Sequence, residues 1–207
     1  MMVDSLVRLR RLRHSSGWIY GTMLFSACLS LLASFVLSYD AIKLAADPTA
    51  SLSCNINAVI SCGTVGASWQ AHLFGFPNAF LGMVAEPVVI TIAVASLGGT
   101  RFPRWFMLSA QIVYTLGVIF AYWLFYQSMF VIGALCPWCL LVTVSTTLVW
   151  STLTRVNIRD NNLYLPARTH ETWKGYIDAD FDVIVVVIWI LILVLGTILK
   201  YGGALFG

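Results

Sequence analysis

Residues 105 to 154 are fifty consecutive positions without an Asp, Glu, Lys, Arg or His, and no other feature narrows the fold as far. A water-soluble core is not built from so long an uncharged run. About 20 apolar residues are enough to cross a hydrocarbon layer about 30 Å thick. The run is therefore two membrane spans joined by a tight uncharged turn near Gln127 to Leu135. Ser15 to Tyr39 is a second stretch free of charge and histidine. Composition agrees: 10% of the 207 residues are charged and 59% are hydrophobic, where an ordinary globular domain carries about 25% charged residues. Five spanning helices are expected, near 17–38, 78–97, 105–126, 135–153 and 182–200.

The basic residues orient these spans. With the N-terminus inside, Arg8, Arg10, Arg11, Arg13, Arg101, Arg104, Arg155, Arg159, Arg168 and Lys174 are all cytoplasmic, and only Lys43 and Lys200 lie outside. Cytoplasmic loops of membrane proteins carry this excess, so the net charge of +3 reports topology. The N-terminal arginines are read as orientation signals. A cleaved signal peptide does not fit, because its apolar stretch is about 7–15 residues long. The expected organisation is a basic N-terminus over 1–16, four spans within 17–153 with an outer loop over 39–77, a polar connector over 154–181, and a fifth span with a short outer tail over 182–207.

Four of the five cysteines fall on the outer side in this topology. Cys54 and Cys62 lie in the outer loop, and Cys136-Pro137-Trp138-Cys139 opens the fourth span. Disulfides persist in the oxidising compartment outside the bacterial cytoplasm. Two cysteines three apart in a first helical turn are close enough to bond. Pro137 suits the first helical position. The helix dipole and free amides favour a thiolate there, the attacking species of thiol–disulfide exchange. A zinc site would have to recruit all four cysteines and would leave the membrane without a role. Cys54 and Cys62 are eight positions apart. A fully helical segment would keep them from bonding, whereas a loop would let them bond and also reach Cys136. A static staple and a redox shuttle both remain open, and two pairs on one face favour the shuttle. Cys28, inside the first span, needs no role beyond packing.

The pattern Cys54-x7-Cys62-Gly63, Ser68, Phe74-Gly75-Phe76-Pro77-Asn78-Ala79-Phe80-Leu81-Gly82 and Cys136-Pro137-Trp138-Cys139 resembles the vitamin K epoxide reductase family, its bacterial members in particular, over about residues 17–153. The resemblance implies an all-α integral membrane protein. A four-helix bundle surrounds a quinone (menaquinone or ubiquinone), capped by the cysteine loop with a short half-helix after Cys54, and a fifth transmembrane helix follows. It implies that Cys139 lies beside the quinone and that Cys136 exchanges with a loop cysteine. Ser68 matches a loop hydroxyl near the cysteines, and Asn78 falls near a quinone-contact position. Thr143 stands where the animal enzymes have a tyrosine, so recognition of vitamin K epoxide is not implied. Bacterial fusions carry an outer thioredoxin-like domain after the fifth span; the chain stops at Gly207, so a separate DsbA-like thioredoxin-fold partner is expected.

The implied activity is that of a quinone-dependent membrane thiol oxidase of the bacterial inner membrane, with Cys54 and Cys62 as shuttle. Which loop cysteine meets the partner first is not written in the sequence. Glu86, followed by Pro87, is an acidic residue inside a span, which marks a functional candidate. It would relay a proton toward the quinone or, as the plainer alternative, bond to backbone freed by Pro87. His72 and Trp69 suit interfacial packing. A DsbB-like oxidase, with its Cys-x-x-Cys in the first outer loop, and a non-enzymatic transporter or assembly subunit with one static disulfide are the rival readings. No basic-aromatic stripe for nucleic acid and no phosphate-binding loop occurs.

Overall fold

The structure, a computed structural model, describes residues 14–52, 54–57 and 59–206. The arginines at 8, 10, 11 and 13 lie outside the described residues. Among those described, five helices are long and apolar enough to cross a membrane, as expected for an all-helical membrane fold.

Helix α1 spans Ser16–Ala46, with the Ser15 hydroxyl accepting the Trp18 N–H at its start. Its 31 residues rise about 46 Å at 1.5 Å each, more than a hydrocarbon layer requires. The outer loop was expected from residue 39, but α1 continues for two further turns. Ala41, Leu44, Ala45 and Ala46 are good helix formers, and the Asp47 carboxylate, accepting from the Thr49 N–H and hydroxyl, closes the turn that follows. The short helix α2 spans Cys62–Gly66, and a 3-10 turn covers Trp69–His72. Helix α3 spans Ala79–Leu97 and contains Pro87. Helix α4 spans Arg104–Tyr126 and runs on into a π-helical turn over Gln127–Ile132. Gly133 ends it in the left-handed region at φ 73°, which glycine enters without penalty. Helix α5 spans Pro137–Arg159, α6 spans Ala167–Asp178 and α7 spans Phe181–Phe206.

Helices α1, α3, α4 and α5 form the bundle, with α1 packed on α3 and α5, and α4 packed on α5. On α1, Ser26, Ser30, Ser34 and Ser38 recur every four residues and all are buried, so this face admits close neighbours. Gly82 on α3 fills the approach: a Cβ there would lie 2.8 Å from Ser34 Cβ. Gly82→Ala is expected to destabilise the bundle by about 1–3 kcal/mol, the scale of overpacking a well-filled contact. Detergent-titrated unfolding of the purified protein measures this. Adding Ser34→Gly should restore most of the loss, and a Gly82→Ala variant of unchanged stability would refute the contact.

Apolar side chains fill the bundle at one end. Ile19, Met23 and Ala27 of α1 meet Ile92 and Ala93 of α3, Met107 and Tyr114 of α4, and Val149, Leu153 and Val156 of α5. Toward the other end α3 and α4 are separated by a cavity. Helix α7 lies outside the bundle against α5 and α6. Its start is held by Arg155, which donates to Asp182 at 3.1 Å and to Asp180 at 3.0 Å. The connector from 154 is therefore mostly helical: α5 runs to Arg159, and α6 occupies its second half.

Candidate active site

The site starts from the first turn of α5. Cys136 is the N-cap, Pro137 the first helical residue, and the Cys139 N–H donates to Cys136 Sγ at 3.2 Å. A sulfur here takes the place of the usual capping oxygen. The amide that helix geometry leaves unpaired points at it and stabilises negative charge developing there.

The loop is brought to this sulfur by backbone pairing that the sequence did not reveal. Ile60 and Leu135 form a parallel bridge, with Ser61 N–H donating to Leu135 O at 3.0 Å and Leu135 N–H to Val59 O at 2.8 Å. Cys62 follows the bridge by two residues on one side, and Cys136 by one on the other. Their sulfurs are 3.5 Å apart. Cys62 is bonded to Cys54, with Cα atoms 5.7 Å apart, while Cys136 and Cys139 are free thiols. Asn55 Oδ1 accepts from Ser61 Oγ at 3.1 Å and from Gly63 N–H at 2.9 Å. A Cβ on Gly63 would lie 2.9 Å from Asn55 Nδ2, which accounts for a glycine directly after Cys62. Cys54, Cys62 and Cys136 are buried with Leu52, and Cys136 is 1% exposed. The short helix expected after Cys54 begins only at Cys62.

The cavity, about 230 Å³ in volume, runs from these sulfurs into the bundle. Cys62, Cys136 and Cys139 line one part of it, Phe120 and Leu124 of α4 another, and Glu86 a third. The other expected site residues are also on its wall. Ser68 donates its hydroxyl to Val65 O at 2.6 Å, which ties down the end of α2. Asn78 donates Nδ2 to Gln70 O at 2.6 Å, and its Oδ1 is buried without a partner. Glu86 is 3% exposed. Its Oε1 accepts from Ser30 at 2.7 Å and Tyr114 at 3.0 Å, and its Oε2 has no partner. It thus bonds to two hydroxyls, and not to backbone freed by Pro87 as the plainer alternative had it. Thr143 donates to Cys139 O at 2.9 Å and also faces the cavity.

His72 lines the cavity, and Trp69 packs edge-on against Trp123 at 6.2 Å. Cys28 is exposed on the outside of the bundle. Among the described residues no group of three His, Cys, Asp or Glu could hold a metal. Asp40, whose Oδ2 lies 3.8 Å from Cys54 Sγ, was not among the expected site residues. Ser30 and Tyr114 were missed too, although the four-residue serine spacing on α1 was readable.

The sequence pattern of the vitamin K epoxide reductase family matches residues 22–154. The chain belongs to that family. The matched segment holds most of the four bundle helices, both cysteine pairs and the cavity, and leaves out α6 and α7. No individual curated protein matches the chain. Family and fold together make the protein a multi-pass membrane oxidoreductase of a quinone-linked family, with a cysteine cluster capable of disulfide chemistry. The cavity fits a quinone on its own chemistry: apolar walls, a thiol at its wall, and two buried polar atoms, Asn78 Oδ1 and Glu86 Oε2, left without partners. Ligand sites commonly combine such walls with a few convergent polar groups.

Proposed function

We propose that the protein oxidises a reduced, DsbA-like thioredoxin-fold protein on the outer side of a bacterial inner membrane and passes the electrons to menaquinone or ubiquinone. The observation that carries this reading is the contact of Cys136 Sγ with Cys62 Sγ at 3.5 Å. A static staple needs two sulfurs; a third, held against the bond by backbone pairing, is what exchange needs. The orientation rests on charge: the described Arg101, Arg104, Arg159, Arg168 and Lys174 all belong to the end of the bundle away from the cysteines.

The residues act in sequence. A partner thiolate attacks Cys54, and the Cys54–Cys62 bond breaks with its electron pair on Cys62. The partner's second thiolate releases Cys54. Cys62 thiolate attacks Cys136 of an oxidised Cys136–Cys139 pair and expels Cys139. Cys54 then closes on Cys62 and expels Cys136, which leaves both cysteines of the helix reduced. This is the pairing seen, with the loop bonded and Cys136 and Cys139 free. The quinone, when bound, supplies the two-electron acceptor. Cys139 on the cavity wall is the thiol nearest that role, Asn78 orients the ligand, and Glu86 Oε2 holds a proton beside it. Ser68 keeps the end of α2 against the cavity mouth. Partner choice by the loop is assigned to Cys54, since Cys62 is turned to Cys136.

The purified protein in lipid nanodiscs, given a reduced thioredoxin-fold protein and a short-chain ubiquinone, should form one partner disulfide per quinone consumed. Glu86→Gln in the same assay should weaken quinone use with loop exchange intact. Partner thiols that stay reduced while quinone is present would overturn the reading. A DsbB-like architecture is disfavoured by the Cys-x-x-Cys standing at the start of α5 and not in the loop after α1.

A further inference from the structure

Asp40 sits in the last two turns of α1 and is 7% exposed. Its Oδ2 is 3.8 Å from Cys54 Sγ, and among the described residues no N–H or O–H donor is hydrogen-bonded to its carboxylate. The charged groups around it are few. Lys43, one turn on along α1, is exposed and lies over the Tyr39 ring. Asp47, the next carboxylate, is engaged by Thr49. The loop packed against this end of α1 contributes Leu52, Cys54 and Cys62, and α5 contributes Cys136 and Trp138, none of them a charged side chain of fixed sign.

Two contacts share one disulfide. Cys62 Sγ faces Cys136, the sulfur it exchanges with, while Cys54 Sγ faces a carboxyl. We propose that Asp40 is the proton acceptor for Cys54 when the loop disulfide closes. In that step the Cys54 S–H bond breaks and the proton passes to Asp40 Oδ2. The Cys54–Cys62 bond forms, the Cys62–Cys136 bond breaks, and the electron pair leaves on Cys136. When the partner later expels Cys54, the same carboxyl returns the proton to that sulfur. Asp40 touches a reacting atom and is thus a catalytic residue of the loop, distinct from the groups at the quinone cavity.

The inference rests on the relay proposed above, and the test separates the two. Fully reduced protein in nanodiscs is mixed with a short-chain ubiquinone, quenched with acid, alkylated and mapped by peptide mass spectrometry. Wild type should form the Cys54–Cys62 bond without accumulating Cys62–Cys136, at rates that change little between about pH 6 and pH 8. Asp40→Asn should accumulate Cys62–Cys136. Its closing rate should fall by about a hundredfold at the acid end, within the range of a positioned base, and climb about tenfold per pH unit as free thiolate replaces it. Asp40→Glu should restore part of the rate and the flat profile. Should Asp40→Asn fail to fold, Asp40→Ser carries the same expectation. Closing by these variants at the wild-type rate and pH profile, or faster than wild type, would overturn the proposal for Asp40 alone. Wild type that never forms the loop bond would sink the relay itself, and this inference with it.

Discussion

Cys136→Ser is expected to halt electron transfer from the loop while leaving the Cys54–Cys62 disulfide and the fold in place. Serine is chosen because Cys136 does two jobs. Its sulfur caps α5 by accepting the Cys139 N–H, and a hydroxyl is among the best capping groups, where alanine would cost about 1 kcal/mol. The substitution therefore removes the exchanging sulfur and keeps the cap. Among the described residues Cys136 Sγ is the free thiol sulfur in contact with Cys62. Without it no thiol connects the loop to Cys139. Loss of one member of a covalent catalytic unit commonly reduces turnover by at least about a thousandfold, and here that loss should appear equally in partner oxidation and quinone reduction. The measurement is partner disulfide formed per minute beside quinone absorbance, with thermal stability as the control. Partner oxidation that survives in Cys136→Ser would mean that electrons bypass the first turn of α5.

The membrane fold was legible because it is written in long runs. A stretch free of charge from Trp105 to Thr154 can do little but cross a bilayer twice, and Pro137 after Cys136 announces a helix start. The motif around Asn78 and Gly82 carried the family. What stayed hidden depends on pairing between distant segments. Cys54 and Cys62 have equal claims on Cys136 in the sequence; the bridge of Ile60 with Leu135 decides for Cys62, and no local pattern encodes it. Asp40 was lost for a different reason. The uncharged stretch ends at Tyr39, and hydropathy alone places the helix end there. Helix formation follows backbone hydrogen bonding and propensity, not lipid contact, and α1 carries Asp40 on to the loop disulfide. Glu86 was visible as a polar residue in a span, but its partners Ser30 and Tyr114 come from two other helices. A lone charge in a span signals that partners exist without saying where.

Cys139→Ala tests the direction of transfer from the opposite side. With that thiol gone, Cys136 can still attack Cys62 across 3.5 Å. A Cys62–Cys136 bond forms and Cys54 is expelled. The reaction conserves electrons, since one disulfide replaces another, so it needs no quinone. Nothing on α5 remains to resolve the new bond, and only Cys54 can reverse it. The variant should therefore hold a mixture of the loop bond and the Cys62–Cys136 bond, with quinone reduction lost by at least about a thousandfold. Adding Cys54→Ala removes the reverse step. Mild oxidation of that double variant should then drive the Cys62–Cys136 crosslink close to completion, visible as a single linked peptide pair under non-reducing conditions. Cys62→Ala with Cys139→Ala is the matching control: Cys54 is turned toward Asp40, so its crosslink to Cys136 should form slowly and in low yield. A Cys54–Cys136 crosslink that outruns the Cys62–Cys136 one would reverse the order of the loop cysteines. It would also take from Asp40 the sulfur it is placed to serve.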